Sequence, residues 1–119
     1  VAKALARNEM FFVKHMNSVL QQKIKKLLDW YIGISYDFKV NTGLEGRYYR
    51  RYLDEHTWSM LLKTYADGER MNTANALLAS FELVRHLGMH ISKQLGFSYP
   101  YQHEKDMLAY CKNIIDTYL

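Results

Sequence analysis

Residues 72–95 read NTANALLASFELVRHLGMHISKQL, and the apolar side chains Ala76, Leu77, Phe81, Val84, Leu87, Ile91 and Leu95 recur there at spacings of three and four. An α-helix turns once every 3.6 residues, so side chains spaced in this way share one face, whereas a strand would alternate every second residue. The stretch therefore predicts a long amphipathic helix from about Asn72 to about Leu95. Gly96 is placed to stop it in a left-handed conformation, and Gly96–Pro100, GFSYP, predicts a corner that Pro100 fixes.

The same period extends in both directions. Upstream, Ala66–Arg70 (ADGER) reads as a turn. Before it, Asp54 caps a helix EHTWSMLLKTY with Trp58, Leu61, Leu62 and Tyr65 on one face. Gly46 opens a short helix, RYYRRYL. Residues Ser35–Glu45, rich in loop formers and without a helical period, form a connection. The first segment, to about Ile34, carries Val13, Met16, Leu20, Leu27, Tyr31 and Ile34 at spacings of three, four or seven. Lys14, Gln21, Gln22, Lys25 and Lys26 fall largely outside that stripe. Unbroken, this segment would span roughly 50 Å, so a bend near Asn8–Met10 is expected. Downstream, a last helix from Tyr101 or Gln102 to Tyr118 buries Met107, Leu108, Tyr110, Cys111, Ile114 and Ile115. With no strand-like alternation, the expected fold is all-α: an antiparallel up-and-down helical bundle of about five helices, one domain over residues 1–119.

Composition agrees with a packed bundle. At 119 residues, with 49% hydrophobic and 24% charged side chains and one proline, the chain can bury roughly two thirds of its unfolded surface. A disordered tail is excluded, and continuous helices are favoured. Cys111, the single cysteine, makes no internal disulfide, no apolar run reaches the roughly 20 residues of a membrane helix, and no secretory signal heads the chain. A cytoplasmic protein without a membrane partner is the expectation. Because VAKALARNEMFF begins inside a helical pattern, Val1 reads as a cut within a longer protein. The net charge of +4, with 12 acids offsetting 16 bases, is weaker than the basic surface of a typical nucleic-acid binder, and no nucleic-acid partner is expected.

Candidate chemistry is sparse. There is no H-E-x-x-H or paired C-x-x-C, and His86 and His90 lack a third ligand nearby in sequence, so no metal site is expected. Cys111 on an apolar face reads as a core residue rather than a thiolate. No glycine-rich loop cradles a phosphate. Polar residues on otherwise apolar stretches stand out: Lys3 and Arg7 one turn apart, Glu9 directly before MFFV, and Glu82 among Phe81, Leu83 and Val84. Glu82 and Arg85 form either a surface i, i+3 pair or, on the sharper reading, Glu82 faces a groove and meets a cationic ligand. The aromatic and arginine-rich Gly46–Trp58, GRYYRRYLDEHTW, could stack bases, but Tyr48, Tyr49, Tyr52 and Trp58 also suit a helix corner packed on its neighbour, which is the favoured account. If Trp58 is buried, Trp58→Ala should cost roughly 3 to 5 kcal/mol.

Four stretches, VAKALARNE, LLDWYIGISYDFKVNTGLEGRYYRRYLDEHTWSMLLKTYADG, NALLASFELVRHLG and LGFSY, resemble in order and spacing the C-terminal region of the aminoglycoside 6-adenylyltransferases, the streptomycin adenylyltransferases. The resemblance covers nearly the whole chain. It implies a two-domain enzyme that transfers AMP from ATP to a streptomycin hydroxyl, with ATP and Mg²⁺ held by an N-terminal nucleotidyltransferase domain through a Gly-Ser turn and an Asp-x-Asp pair. Those motifs are absent here. The chain would be the C-terminal substrate-binding domain, inactive alone, with aminoglycoside as its partner ligand and the catalytic base unassigned. The resemblance places Glu9 and Glu82 on the substrate side, where guanidinium groups need carboxylates, and Lys3, with Arg7 assisting, at the ATP phosphates. Many relatives carry Trp where this chain has Ala6, a departure that bears on substrate preference.

Two readings from other classes compete. Arg85–His90, RHLGMH, fits the R-polar-x-x-x-H pattern of HEPN-type helical RNases, in which the histidine acts as acid or base and the arginine stabilises phosphorane charge. It predicts metal-independent RNA cleavage that His90→Ala abolishes. A plain helical interaction module would instead dimerise with concentration and bind neither aminoglycoside nor nucleotide.

Overall fold

A computed structural model describes residues 2–96 and 101–118, with the backbone alone at 2, 101, 103, 104, 107, 111, 114, 115, 117 and 118. Six α-helices appear among them: α1 (Ala2–Ala6), α2 (Met10–Ser35), α3 (Tyr49–Tyr52), α4 (Glu55–Leu62), α5 (Arg70–Leu95) and α6 (Tyr101–Tyr118), with a 3-10 turn at Leu44–Gly46 before α3. No strand occurs among the described residues. The expected bend lies at Asn8, whose φ of 58° is left-handed. There the amide of Asn8 donates to the Leu5 carbonyl (3.1 Å) and that of Glu9 to the Ala4 carbonyl (2.9 Å), which closes α1 before α2 starts. Asparagine tolerates this conformation better than most residues, and the break raises the helix count from about five to six.

Interhelical contacts fix the directions. At one end the Lys14 ammonium donates to Thr73 Oγ1 at 3.0 Å, and at the other the Tyr31 and His90 rings lie 4.8 Å apart. Helices α2 and α5 therefore run parallel. Between them α4 runs the other way, because Gln21 Nε2 reaches Thr64 Oγ1 (2.9 Å) while the Tyr31 hydroxyl reaches Asp54 Oδ1 (2.8 Å). Helix α6 packs on α1 and α5, and α1 sits at the start of α5, where Arg70 Nη2 donates to the Ala6 carbonyl at 2.9 Å. Helices α2, α4 and α5 thus run up, down and up.

The main core joins Ile24, Leu28 and Ile32 of α2 to Tyr49, Leu53, Leu61, Leu83 and Leu87. Each buried aliphatic side chain contributes about 2 kcal/mol. A second cluster, Ala4, Leu5, Val13 and Ala74, locks α1 onto α2 and α5. Several expected core positions move. In α2 the fully buried row is one step over from Leu20, Leu27 and Tyr31, which are half-buried. In α5 Thr73, Ala74, Leu83 and Leu87 are fully buried, Phe81 and Val84 are half-buried, and Leu95 is exposed. The cause is that α5 faces both α2 and α4, so its buried arc is wider than one stripe. Helix α4 stops at Leu62, leaving Leu62 and Tyr65 exposed, and its inner face is Thr57 and Leu61. Tyr110 of α6 is exposed rather than buried, and Leu108 is half-buried. The expected burial of Met107, Cys111, Ile114 and Ile115 lies outside the described side chains, and the corner expected at 97–100 lies outside the described residues. Gly96 ends α5 as expected, with φ 80° and its amide bonded to the Ser92 carbonyl.

Candidate functional site

Three of the four sequence-predicted site residues meet at the elbow between α1 and α2. Lys3, within α1, and Arg7, in the turn just after it, are exposed. The Lys3 ammonium lies 5.9 Å from the Tyr110 ring centroid. Arg7 Nη1 is 3.8 Å from Glu9 Oε1, with both side chains largely in solvent, so the pair adds at most about 1 kcal/mol. Glu9 precedes α2 but makes no side-chain capping bond, which leaves its carboxylate facing outward. Ala6 is half-buried in the same elbow. Glu82 is exposed on α5, nine residues beyond the Thr73 that meets α2, and therefore roughly 14 Å farther along the helix axis. The structure groups Lys3, Arg7 and Glu9 and leaves Glu82 apart, and neither of the two hollows described below includes Glu82 in its lining.

A polar network around the buried Thr57, at the other end of the bundle, was only partly legible in sequence. Asp54 caps α4, accepting from the Thr57 amide at 3.0 Å, the Thr57 hydroxyl at 2.8 Å and the Tyr31 hydroxyl at 2.8 Å. Thr57 Oγ1 is also 2.9 Å from His86 Nε2. Since that hydroxyl donates to Asp54, it accepts from His86, which places a proton on Nε2. Burial pushes the Asp54 carboxyl up, but the Thr57 amide and the Tyr31 and Thr57 hydroxyls outweigh it and hold the pKa at about 2. Burial, then the Asp54 charge, raises the Tyr31 hydroxyl against the opposing Thr57 bond. His86 is lowered by burial and by neighbouring His56, against the opposing pull of Asp54. A hydroxyl held between a carboxylate and an imidazole resembles an activated nucleophile, but Thr57 has no exposed surface. The network holds α2, α4 and α5 together rather than reaching a substrate. His90, the residue of the RNase reading, is half-buried against the Tyr31 ring.

A second network fixes the loop after α2. Asp29 Oδ1 accepts from the Tyr49 hydroxyl at 2.7 Å and Thr42 Oγ1 at 3.2 Å, while Oδ2 meets the Lys25 ammonium at 3.1 Å. Burial, then Asp29 and then Glu45, push the Tyr49 hydroxyl far up. Beside this anchor a hollow of about 350 Å³ opens between α2 and α4, lined by residues that include Gln21, Gln22, Glu45, Tyr49, Trp58 and Tyr65. Another, about 410 Å³, lies at the α4–α5 turn among Lys63, Asp67, Asn72 and Asn75. Among the described residues no three histidine, cysteine or acidic side chains gather in a way that could hold a metal ion. No helix among them is long and apolar enough to cross a membrane. The arrangement offers charge and ring surfaces for binding.

Comparison with known proteins points one way. The family model for streptomycin adenylyltransferase matches residues 1–114. An aminoglycoside 6-adenylyltransferase of Campylobacter jejuni is 30% identical over 110 residues, which is 88% of this chain and 37% of that protein. One from Bacillus subtilis is 25% identical over 115 residues, 96% of this chain and 40% of its own length. One from Staphylococcus aureus is 26% identical over 114 residues, 95% of the chain and 40% of the relative. A crystal structure of an aminoglycoside 6-adenyltransferase from Bacillus subtilis shares the fold with a TM-score of 0.81 at 24% identity, over 96% of this chain and 43% of that one. The chain spans about two fifths of the length of the curated relatives it matches.

Proposed function

The chain belongs to the streptomycin adenylyltransferase family, and from that premise we propose that it is the C-terminal helical domain of an enzyme transferring AMP from ATP to streptomycin. The observation that carries this reading is the family match over residues 1–114 combined with coverage of only about 40% of the relatives. A match of that extent takes precedence over the six-residue RNase pattern at Arg85–His90. In this reading the rest of the parent, a nucleotidyltransferase domain, supplies the reacting centre in the cytoplasm, and this chain supplies part of the aminoglycoside cleft.

The residues present fit the two implied cofactors unequally. Mg²⁺ needs several hard oxygen ligands converging on one point, and no such group gathers among the described residues, so no metal step is derived from this chain. ATP carries a polyanionic chain that Lys3 of α1 and Arg7 just after it, both exposed and one turn apart in sequence, could touch from the side, although Glu9 already offsets part of the Arg7 charge. Glu9 and Glu82 offer exposed carboxylates to the guanidinium groups of streptomycin.

The test is to read the parent gene upstream of the Val1 codon and assay its product. The proposal expects an in-frame segment carrying a Gly-Ser turn and an Asp-x-Asp pair. In the parent, Glu9→Gln and Glu82→Gln should raise KM for streptomycin with little change in kcat, whereas Lys3→Gln should raise KM for ATP. Unchanged constants in all three variants would remove the site assignment.

A further inference from the structure

The hollow between α2 and α4 is built in a way the elbow is not. Its floor is Tyr49, only 7% exposed, whose hydroxyl is tied to Asp29 at 2.7 Å. Its rim is Glu45, held at φ 52° and ψ 37°, a left-handed conformation that is costly for a residue with a Cβ. The next residue, Gly46, also has positive φ, and a Cβ there would collide with the Tyr49 ring. That glycine lets the turn sit directly on the ring and brings Glu45 to the mouth of the hollow. The walls are Trp58, half-buried, and Tyr65, 64% exposed. Gln21 spends its amide nitrogen on Thr64, which leaves its oxygen as an acceptor, and exposed Gln22 adds another amide. Lys25 lines the hollow too, but its ammonium is paired with Asp29.

We propose that this hollow is a cation subsite, in which the Glu45 carboxylate and the Trp58 and Tyr65 rings take a guanidinium or ammonium group of a polycationic ligand. Three acceptors, two aromatic faces and a lysine already neutralised by a neighbour favour a cation over an anion. The chain itself supplies an example at this wall, since the Arg50 guanidinium lies 5.5 Å from the Trp58 ring centroid while its Nη2 is bonded to Glu55 at 2.7 Å. A volume of about 350 Å³ admits one substituted ring or a guanidino-alkyl arm rather than a whole oligosaccharide. The subsite deepens the function proposed above and rests on it for the natural ligand, an aminoglycoside, while the chemistry of recognition rests on the hollow alone.

The experiment is a titration of the ¹⁵N-labelled chain followed by NMR, with agmatine as the guanidinium probe and butylurea as its uncharged counterpart. Agmatine should shift the Trp58 indole NH and the Glu45 and Gly46 amides, and butylurea should leave them in place. Glu45→Gln keeps the Cβ and the backbone strain and should weaken agmatine about fivefold, the upper value for an exposed ion pair. Equal response to butylurea, unchanged affinity in Glu45→Gln, or shifts confined to Lys3–Glu9 would overturn the subsite. The parent enzyme separates this from the broader reading. A parent that adenylylates streptomycin with the same KM in Glu45→Gln removes the subsite and keeps the function. A parent inert toward streptomycin, beside a chain that binds agmatine through Glu45, removes the function and keeps the subsite.

Discussion

Replacing Asp54 by alanine tests the network that joins three helices. Its carboxylate caps α4 through the Thr57 amide, and loss of such a cap costs about 1 kcal/mol. It also accepts from the Thr57 and Tyr31 hydroxyls. Thr57 is fully buried and would keep only His86 and the longer 3.4 Å contact to the Tyr31 hydroxyl, a weakening of about 1 kcal/mol more. The sum, about 2 kcal/mol, corresponds to a fall in Tm of about 8 °C for a domain of this size. Asp54→Asn retains an acceptor for the Thr57 amide and should lose about half as much. A pH signature accompanies the change. Since the native carboxyl is held at about 2, below its ordinary 3.8, it stabilises the fold above that ordinary value and ceases to do so as pH falls through the native one. Thermal unfolding followed by circular dichroism should therefore show a gap between parent and Asp54→Ala that is full at pH 6 and narrows from about pH 4 toward 2. An undiminished gap at the lowest pH, or no gap at neutrality, would refute the assigned hydrogen bonds.

Other outcomes follow from the same geometry. Trp58→Ala should cost about 2.5 kcal/mol, half the burial of a core aromatic at about 25 cal/mol per Å². That is less than a fully buried ring would lose, and a loss above about 4 kcal/mol in urea unfolding would show the ring to be deeper than it is here. Gly46→Ala combines a left-handed φ with a collision against a Tyr49 ring that Asp29 holds in place; a destabilisation of about 2 to 4 kcal/mol is expected, and a variant as stable as the parent would show that the turn can open. For His86, burial and His56 hold the native pKa below the ordinary 6.5, so the unfolded chain takes up the proton first and stability falls as pH drops below that value. His86→Gln, which keeps a donor toward Thr57, should flatten the Tm profile between about pH 7 and 5; an unchanged slope would assign the titration to other groups.

Local pattern carried much of the fold and less of the sites. The three-four spacing of α2 and α5, the glycine stop at Gly96 and the cap at Asp54 were legible because each is decided within a few residues. Which face of α5 is deepest was not, since Leu83 gains its burial from α4 and α2 at once. Leu62 and Tyr65 belonged to the apolar count of α4, yet Leu62 lies on the helix's outer face, opposite the inner Thr57 and Leu61, and Tyr65 lies beyond the helix end. The aromatic run Gly46–Trp58 proved to be largely a packed corner: Tyr49 and Leu53 enter the core, Tyr52 and Trp58 pack against it, and the arginines point outward, Arg51 across the Tyr48 ring at 4.2 Å. Tyr31, which bonds to Asp54, and His86, which bonds to Thr57, gave no local signal because those bonds join residues 23 and 29 positions apart; Asp29 has a local partner in Lys25, but its bond to Tyr49 spans 20 positions. Glu45 escaped notice for a related reason: a carboxylate in a loop becomes informative only once Gly46 and Tyr49 show where it sits.

The most direct test of the account is mass spectrometry of streptomycin incubated with ATP and Mg²⁺ and either the full parent protein or this chain alone. The account predicts one adenylyl group added to the antibiotic by the parent and none by the chain. Unmodified streptomycin with the parent, or modification by the chain alone, would contradict it.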